Sequence, residues 1–202
     1  MKTQILLVWI GAVLFATISG HAAPNEQKEI QELYRRGLAG DKEAVDSCIR
    51  RLEDVLQIEP ANQLARVYLG SAYTLRSRDL GFGPKKLQAL QYGLALMDEA
   101  VTAAPAAAKV RLARALTTLA LPSIFGRAGS TRKDFAQLAA SARTQPAQFE
   151  EGDLQIIYYN AGLAAKAAGD RTRAVVLFKE GARHPANPDL ARKLQAALAG
   201  RL

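Results

Sequence analysis

The sequence predicts an all-α protein, and three observations carry that reading. A small residue followed four positions later by a large one recurs along the chain, as in Gly93 to Met97 and Ala174 to Phe178. Prolines close successive stretches of this pattern, at Pro60, Pro105 and Pro146. A proline cannot continue a helix, and it restricts the residue before it. No β-rich alternation competes with the helical pattern.

Residues 1–22 read as a secretory signal peptide. Lys2 supplies a positive start, Ile5 to Ile18 an apolar run, and Gly20 and Ala22 the small residues that a signal peptidase reads. The run is short for a membrane span; a retained anchor is the rival reading. No cysteine stands at the cut, which argues against a lipid-anchored form. The mature chain, 23–202, has the length of one domain. It is expected to be periplasmic or secreted, with no stable membrane insertion after processing. Its one cysteine, Cys48, can form no internal disulfide, so packing must hold the fold. Cys48 lies in an apolar helical register and reads as a small core residue.

Nine helices are predicted in order, over 26–38, 42–58, 62–77, 85–103, 107–120, 131–143, 152–168, 172–183 and 188–199. Asp41, Ser130 and Asp170 are candidate N-caps or first-turn residues, with oxygens able to accept from free backbone N–H groups. The last helix carries Leu190, Leu194 and Leu198 on one face, which suits it to close the open end of a helical stack.

Two stretches share a finer grammar. One has Leu69-Gly70 followed by Tyr73. The other has Tyr158, Ala161-Gly162 and Ala165, and ends at Gly169-Asp170. Weaker copies run from Cys48 to Leu52 and from Asp134 to Leu138. The pattern resembles the tetratricopeptide repeat, the TPR, over nearly all of the mature chain. The likeness is strongest over 155–183, good over 61–105 and degenerate elsewhere. It implies a single TPR-type α-solenoid of about four antiparallel helix pairs with a C-terminal capping helix. Small residues at Gly70, Gly162 and Ala174 would let helices approach, and Tyr73, Met97 and Phe178 would fill the gaps.

Two repeats carry insertions. From Tyr73 to Gly93 the chain has about eleven residues more than the motif needs, including "RSRDLGFGPKK". "LPSIFGRAGS", Leu121 to Ser130, adds several more one repeat later. Stacked repeats put equivalent turns on one edge, so the inserts are expected side by side. Each sets an aromatic against glycine, at Phe82 and Phe125, and each brings cations: Arg76, Arg78, Lys85 and Lys86 in one, Arg127 and Arg132 in the other. The formal net charge is +8, or +7 without Lys2; the segment from Arg76 to Lys133, with ten bases and three acids, holds +7. One reading is a composite edge for an anionic, partly apolar ligand. The other is a pair of loops whose phenylalanines plug the core edge while their charges are solvated. "GFGPKK" is no P-loop, because the spacing before the lysine is wrong and no Ser or Thr follows.

By the same resemblance, the first helix of each pair lines a concave face. The register through Val67, Ser71 and Leu75, then Leu112, Leu116 and Leu119, then Tyr159, Leu163 and Lys166 is largely apolar. At the matching positions it lacks the lysines and asparagines with which chaperone-tail-binding TPRs clamp a carboxylate. The face is expected either to hold an amphipathic partner segment or to be filled by the inserts or the N-terminal helix.

The residues offer no nucleophile with a base and an orienter, and no metal-ligand cluster, so neither enzymatic activity nor a cofactor is expected. Of the two histidines, His21 leaves with the leader and His184 stands at a helix end, where a cation suits the dipole. Scarce, uninterleaved aromatics and the leader argue against nucleic acid. The expected role is a non-enzymatic module that holds another protein or peptide, an envelope component. The alternative is a binding protein for an acidic ligand, seated on the insert edge.

Overall fold

The computed structural model describes residues 24–201, and the leader read over 1–22 lies outside the described residues. Regular structure among the described residues is entirely helical. Among the described residues nine α-helices run in order: α1 Pro24–Leu38, α2 Lys42–Ile58, α3 Gln63–Asp79, α4 Pro84–Ala103, α5 Ala108–Leu119, α6 Ala128–Thr144, α7 Glu151–Ala167, α8 Arg171–Ala182 and α9 Pro188–Leu198. Short 3-10 turns, Ser123–Phe125 and Pro146–Gln148, precede α6 and α7. Each helix coincides with a predicted one. The largest shift is at α6, which starts at Ala128 rather than residue 131.

The chain forms two compact units that divide between Pro122 and Ser123. In the first, each helix from α1 to α5 packs on the next, and α3 also touches α1 and α5. In the second, α6 packs on α7, α7 on α8 and α8 on α9, with α9 returning to α7.

Local chemistry explains where the helices begin. Asp41 Oδ1 accepts from the Ala44 N–H at 2.9 Å, Asn62 Oδ1 from Ala65 at 3.0 Å, and Asp170 Oδ1 from Arg173 at 2.9 Å. Ser130 is not a cap. It lies in the first turn of α6, where its hydroxyl donates to the Arg127 carbonyl at 2.9 Å. A second local device appears twice, 45 residues apart: Arg66 Nη2 donates to the Pro60 carbonyl at 2.7 Å, and Arg111 Nη2 to the Pro105 carbonyl at 2.8 Å. Each arginine ties its helix back to the proline that ended the preceding one.

Two glycines bring the backbones of α3 and α4 together where the helices cross. A Cβ added to Gly70 would stand 2.5 Å from the Gly93 carbonyl oxygen and 2.7 Å from Met97 Cγ. The two backbones touch because neither glycine has a side chain. In the second unit, Gly162 faces the Phe178 ring in the same way; an added Cβ there would lie 2.6 Å from Cδ1. Each of these crossings closes over large side chains. Tyr68, Met97, Leu112 and Leu116 are fully buried in the first unit, as are Phe135, Leu138, Ile157 and Leu194 in the second. A fully buried side chain of this size stabilises by about 1.5–3 kcal/mol. Cys48 is among the buried residues, and burial pushes its thiol up to about 12, so it stays protonated near neutral pH.

Helix α9 is fastened by one buried amide. Gln155 Oε1 accepts from the Asn187 N–H at 2.7 Å, and Gln155 Nε2 donates to the Asn187 carbonyl at 3.2 Å. Asn187 then caps α9, its Oδ1 accepting from Asp189 at 2.8 Å and Leu190 at 3.1 Å. Gln155→Leu conserves volume but strands two buried backbone groups. It is expected to cost roughly 2–6 kcal/mol in urea unfolding, since each stranded group costs about 1–3 kcal/mol. An unchanged midpoint would mean that something other than this amide holds α9.

Candidate functional site

The insertion after Tyr73 is a pair of helix extensions. Gly70 stands nine residues before the end of α3, whereas Gly162 stands five before the end of α7. Gly93 stands nine residues into α4, whereas Ala174 stands three into α8. The link is 80–83 in the first case and 168–170 in the second. Most of the additional residues therefore lengthen α3 at its end and α4 at its start. The result is a helical hairpin that runs about 6–9 Å past the length of the α7–α8 pair, at 1.5 Å per residue.

Three of the predicted edge cations are engaged inside the first unit. Arg76 donates through Nε and Nη2 to Asp46 Oδ1, at 2.9 and 2.6 Å, with its guanidinium carbon 5.4 Å from the Tyr73 ring centroid. The Tyr73 hydroxyl donates to Glu53 at 2.8 Å; burial, followed by that carboxylate, pushes its pKa up to about 12. Arg78 donates to the Gly37 carbonyl at 2.9 Å, capping the end of α1, and pairs with Asp79. Lys86 Nζ reaches the Leu80 and Arg78 carbonyls at 3.3 and 3.4 Å, at the end of α3. These are the roles that cations take at helix C-termini.

Lys85 and Arg132 are exposed, and Arg127 is half-buried immediately before α6. Phe82 is 106% exposed, so it plugs no core edge, and Phe125 is 38% exposed. The Phe82 cations and the Arg127 and Arg132 cations belong to different units, divided at Pro122.

Of the residues read as a concave apolar lining, Val67, Leu75, Leu112 and Leu116 are core residues, not surface. The same helices carry a buried polar line that sequence reading missed. The Tyr34 hydroxyl of α1 lies 2.6 Å from Ser71 Oγ of α3, and Ser71 Oγ lies 2.8 Å from Thr117 Oγ1 of α5. The Tyr34 ring also meets Tyr68 edge-on, with centroids 5.5 Å apart. Burial pushes the Tyr34 hydroxyl up to about 12, so it remains a neutral hydrogen-bonding group. The N-terminal helix thus covers this stretch of α3. Leu119, Tyr159 and Leu163 are half-buried, and the Tyr159 ring rests 6.2 Å from that of Phe178. A tyrosine in the first helix, in register with a serine on an apolar face, was the available signal.

His184 stacks on Tyr158, and its Nδ1 lies 2.8 Å from a Glu151 carboxylate oxygen at the start of α7. This joins α8 to α7 at the helix end. Among the described residues no helix is long and apolar enough to cross a membrane.

Compared with known proteins, the chain matches no family model, no curated protein and no solved structure.

Proposed function

We propose that this chain is a TPR-type repeat scaffold that works by holding another protein or peptide of the bacterial envelope. The observation that supports this reading most directly is the repeated close contact of a small residue with a large one. Gly70 meets Met97 in one helix pair, and Gly162 meets Phe178 in another. Pairs built on one recurring contact stack into stiff, extended surfaces, and such surfaces serve recognition. Of the apolar register first read as a lining, Tyr159 and Leu163 of α7 retain exposed area. They are the residues assigned here to partner contact.

The test is capture of an envelope partner by the tagged chain, beside a Tyr159→Ala, Leu163→Asp variant. The expected result is one stoichiometric partner with the wild type and its loss in the variant, with helicity by circular dichroism unchanged. Equal capture by both chains would remove α7 from the contact surface. No stoichiometric partner for the wild type would sink the scaffold reading itself.

A further inference from the structure

We propose that the tip of the α3–α4 hairpin docks reversibly on an anionic lipid surface. Phe82 and Leu87 enter the interface, and Lys85 meets the headgroups. This surface shares no residue with the α7 pair assigned to a protein partner.

Four observations carry it. Phe82 is the most exposed large apolar side chain among the described residues, and Leu87, at the start of α4, is 51% exposed. The sequence from Leu80 to Met97 contains Lys85 and Lys86 but no acid, and the carboxylate of Asp79, just before it, is paired with Arg78. The last turn of α3, immediately before the tip, is pinned by Arg78 on the Gly37 carbonyl and by Arg76 on Asp46. The tip is therefore presented on ordered helices, and docking need not first order it. Finally, the same composition recurs at the start of the second unit. Ile124, 85% exposed, and Phe125 precede Arg127 and Arg132 in a run that has no acid from Ala100 to Lys133.

Size and shape favour lipid over a protein socket. A stable protein pair buries about 800 Å² on each partner. Two apolar side chains and one exposed lysine at a helical turn do not reach that area. A bilayer interface accepts a convex apolar tip without a matching cavity, and it attracts each nearby cation. The same arithmetic makes the docking weak and reversible.

The chain has one tryptophan, Trp9, which makes the tip directly readable. The full chain carrying Trp9→Phe and Phe82→Trp has its only indole at the tip. With vesicles rich in phosphatidylglycerol its emission should shift to the blue and be quenched by brominated lipid. Phosphatidylcholine vesicles should produce little of either. Adding Lys85→Glu should raise the anionic lipid concentration needed by roughly tenfold or more. Because the probe sits at position 82, binding through the N-terminal apolar run does not mimic the signal. An unshifted indole on a chain that sediments with anionic vesicles overturns the proposal. So does an equal shift with phosphatidylcholine, which would leave charge no part. A shift produced by envelope protein but by neither vesicle would replace lipid with a protein socket. None of these outcomes bears on partner capture through α7.

Discussion

Gly70→Ala is expected to destabilise the first unit by about 3 kcal/mol or more, at or above the upper end of the usual overpacking range. Two effects oppose each other. Alanine is the better helix former, by roughly 1 kcal/mol. Against that, the new Cβ would stand 2.5 Å from the Gly93 carbonyl oxygen and 3.1 Å from the Met97 nitrogen, and both are backbone atoms. A side chain can rotate away from a clash, whereas two helix backbones must separate. Separation opens the interface around Tyr68 and Met97, which are fully buried. Steric exclusion therefore exceeds propensity. Gly93→Ala should do the same, since its Cβ would press on the Gly70 carbonyl and Tyr73. A loss of 3 kcal/mol corresponds to a fall in Tm of roughly 6–12 °C for a chain of this size. Gly129→Ala is the matched control: it lies in α6 with nothing within 4 Å of its added Cβ, and it should be neutral or slightly stabilising. A melting curve for Gly70→Ala that overlays the control would mean that α3 and α4 do not cross at these residues.

Leu116→Asp is expected to unfold the first unit. Leu116 is 1% exposed, within the same core as Val67 and Leu112. The substitution removes a fully buried leucine and strands a carboxyl group where no water reaches. Loss of the side chain alone costs about 2–5 kcal/mol, and the unpaired polar group adds several more. The total rivals the roughly 5–15 kcal/mol that holds a whole domain together. Far-UV circular dichroism should show lost helix at 25 °C, and Leu116→Met, which keeps volume and polarity, should remain folded with a change under about 1.5 kcal/mol. If Leu116 instead lined an open groove, the aspartate would be solvated and helicity would persist. A folded Leu116→Asp chain would thus restore the open-groove reading and contradict the burial seen here.

Much of the helical framework was legible in the residues. The nine helices of the described residues were readable because their determinants are local. Asp41 and Asp170 cap the helices they precede, prolines stand where helices end, and small residues mark the crossings at Gly70 and Gly162. The start of α6 was misplaced because Ser130 looks like a cap in sequence, yet its hydroxyl turns to a carbonyl one turn back. The candidate site was less legible. Arg76, Arg78 and Lys86 read as available cations, but acceptance by Asp46 or by the Gly37 and Leu80 carbonyls depends on which helices lie alongside. The insertion was legible as extra length; its form, two lengthened helices with Phe82 at their turn, depended on α3 and α4 continuing to pair.

What the sequence by itself determined is the order, extent and caps of the helices, together with the small residues that permit close crossings. These follow from the backbone's short-range preferences and from periodicity, which involve only neighbours along the chain. What only the tertiary structure decided is which faces are covered. Leu116 and Val67 lie on an apolar face that a partner or another helix of the same chain could equally well bury. Tyr34, meeting Ser71 from 37 residues away, settles that choice for the face of α3, because burial is set by what arrives from elsewhere in the chain.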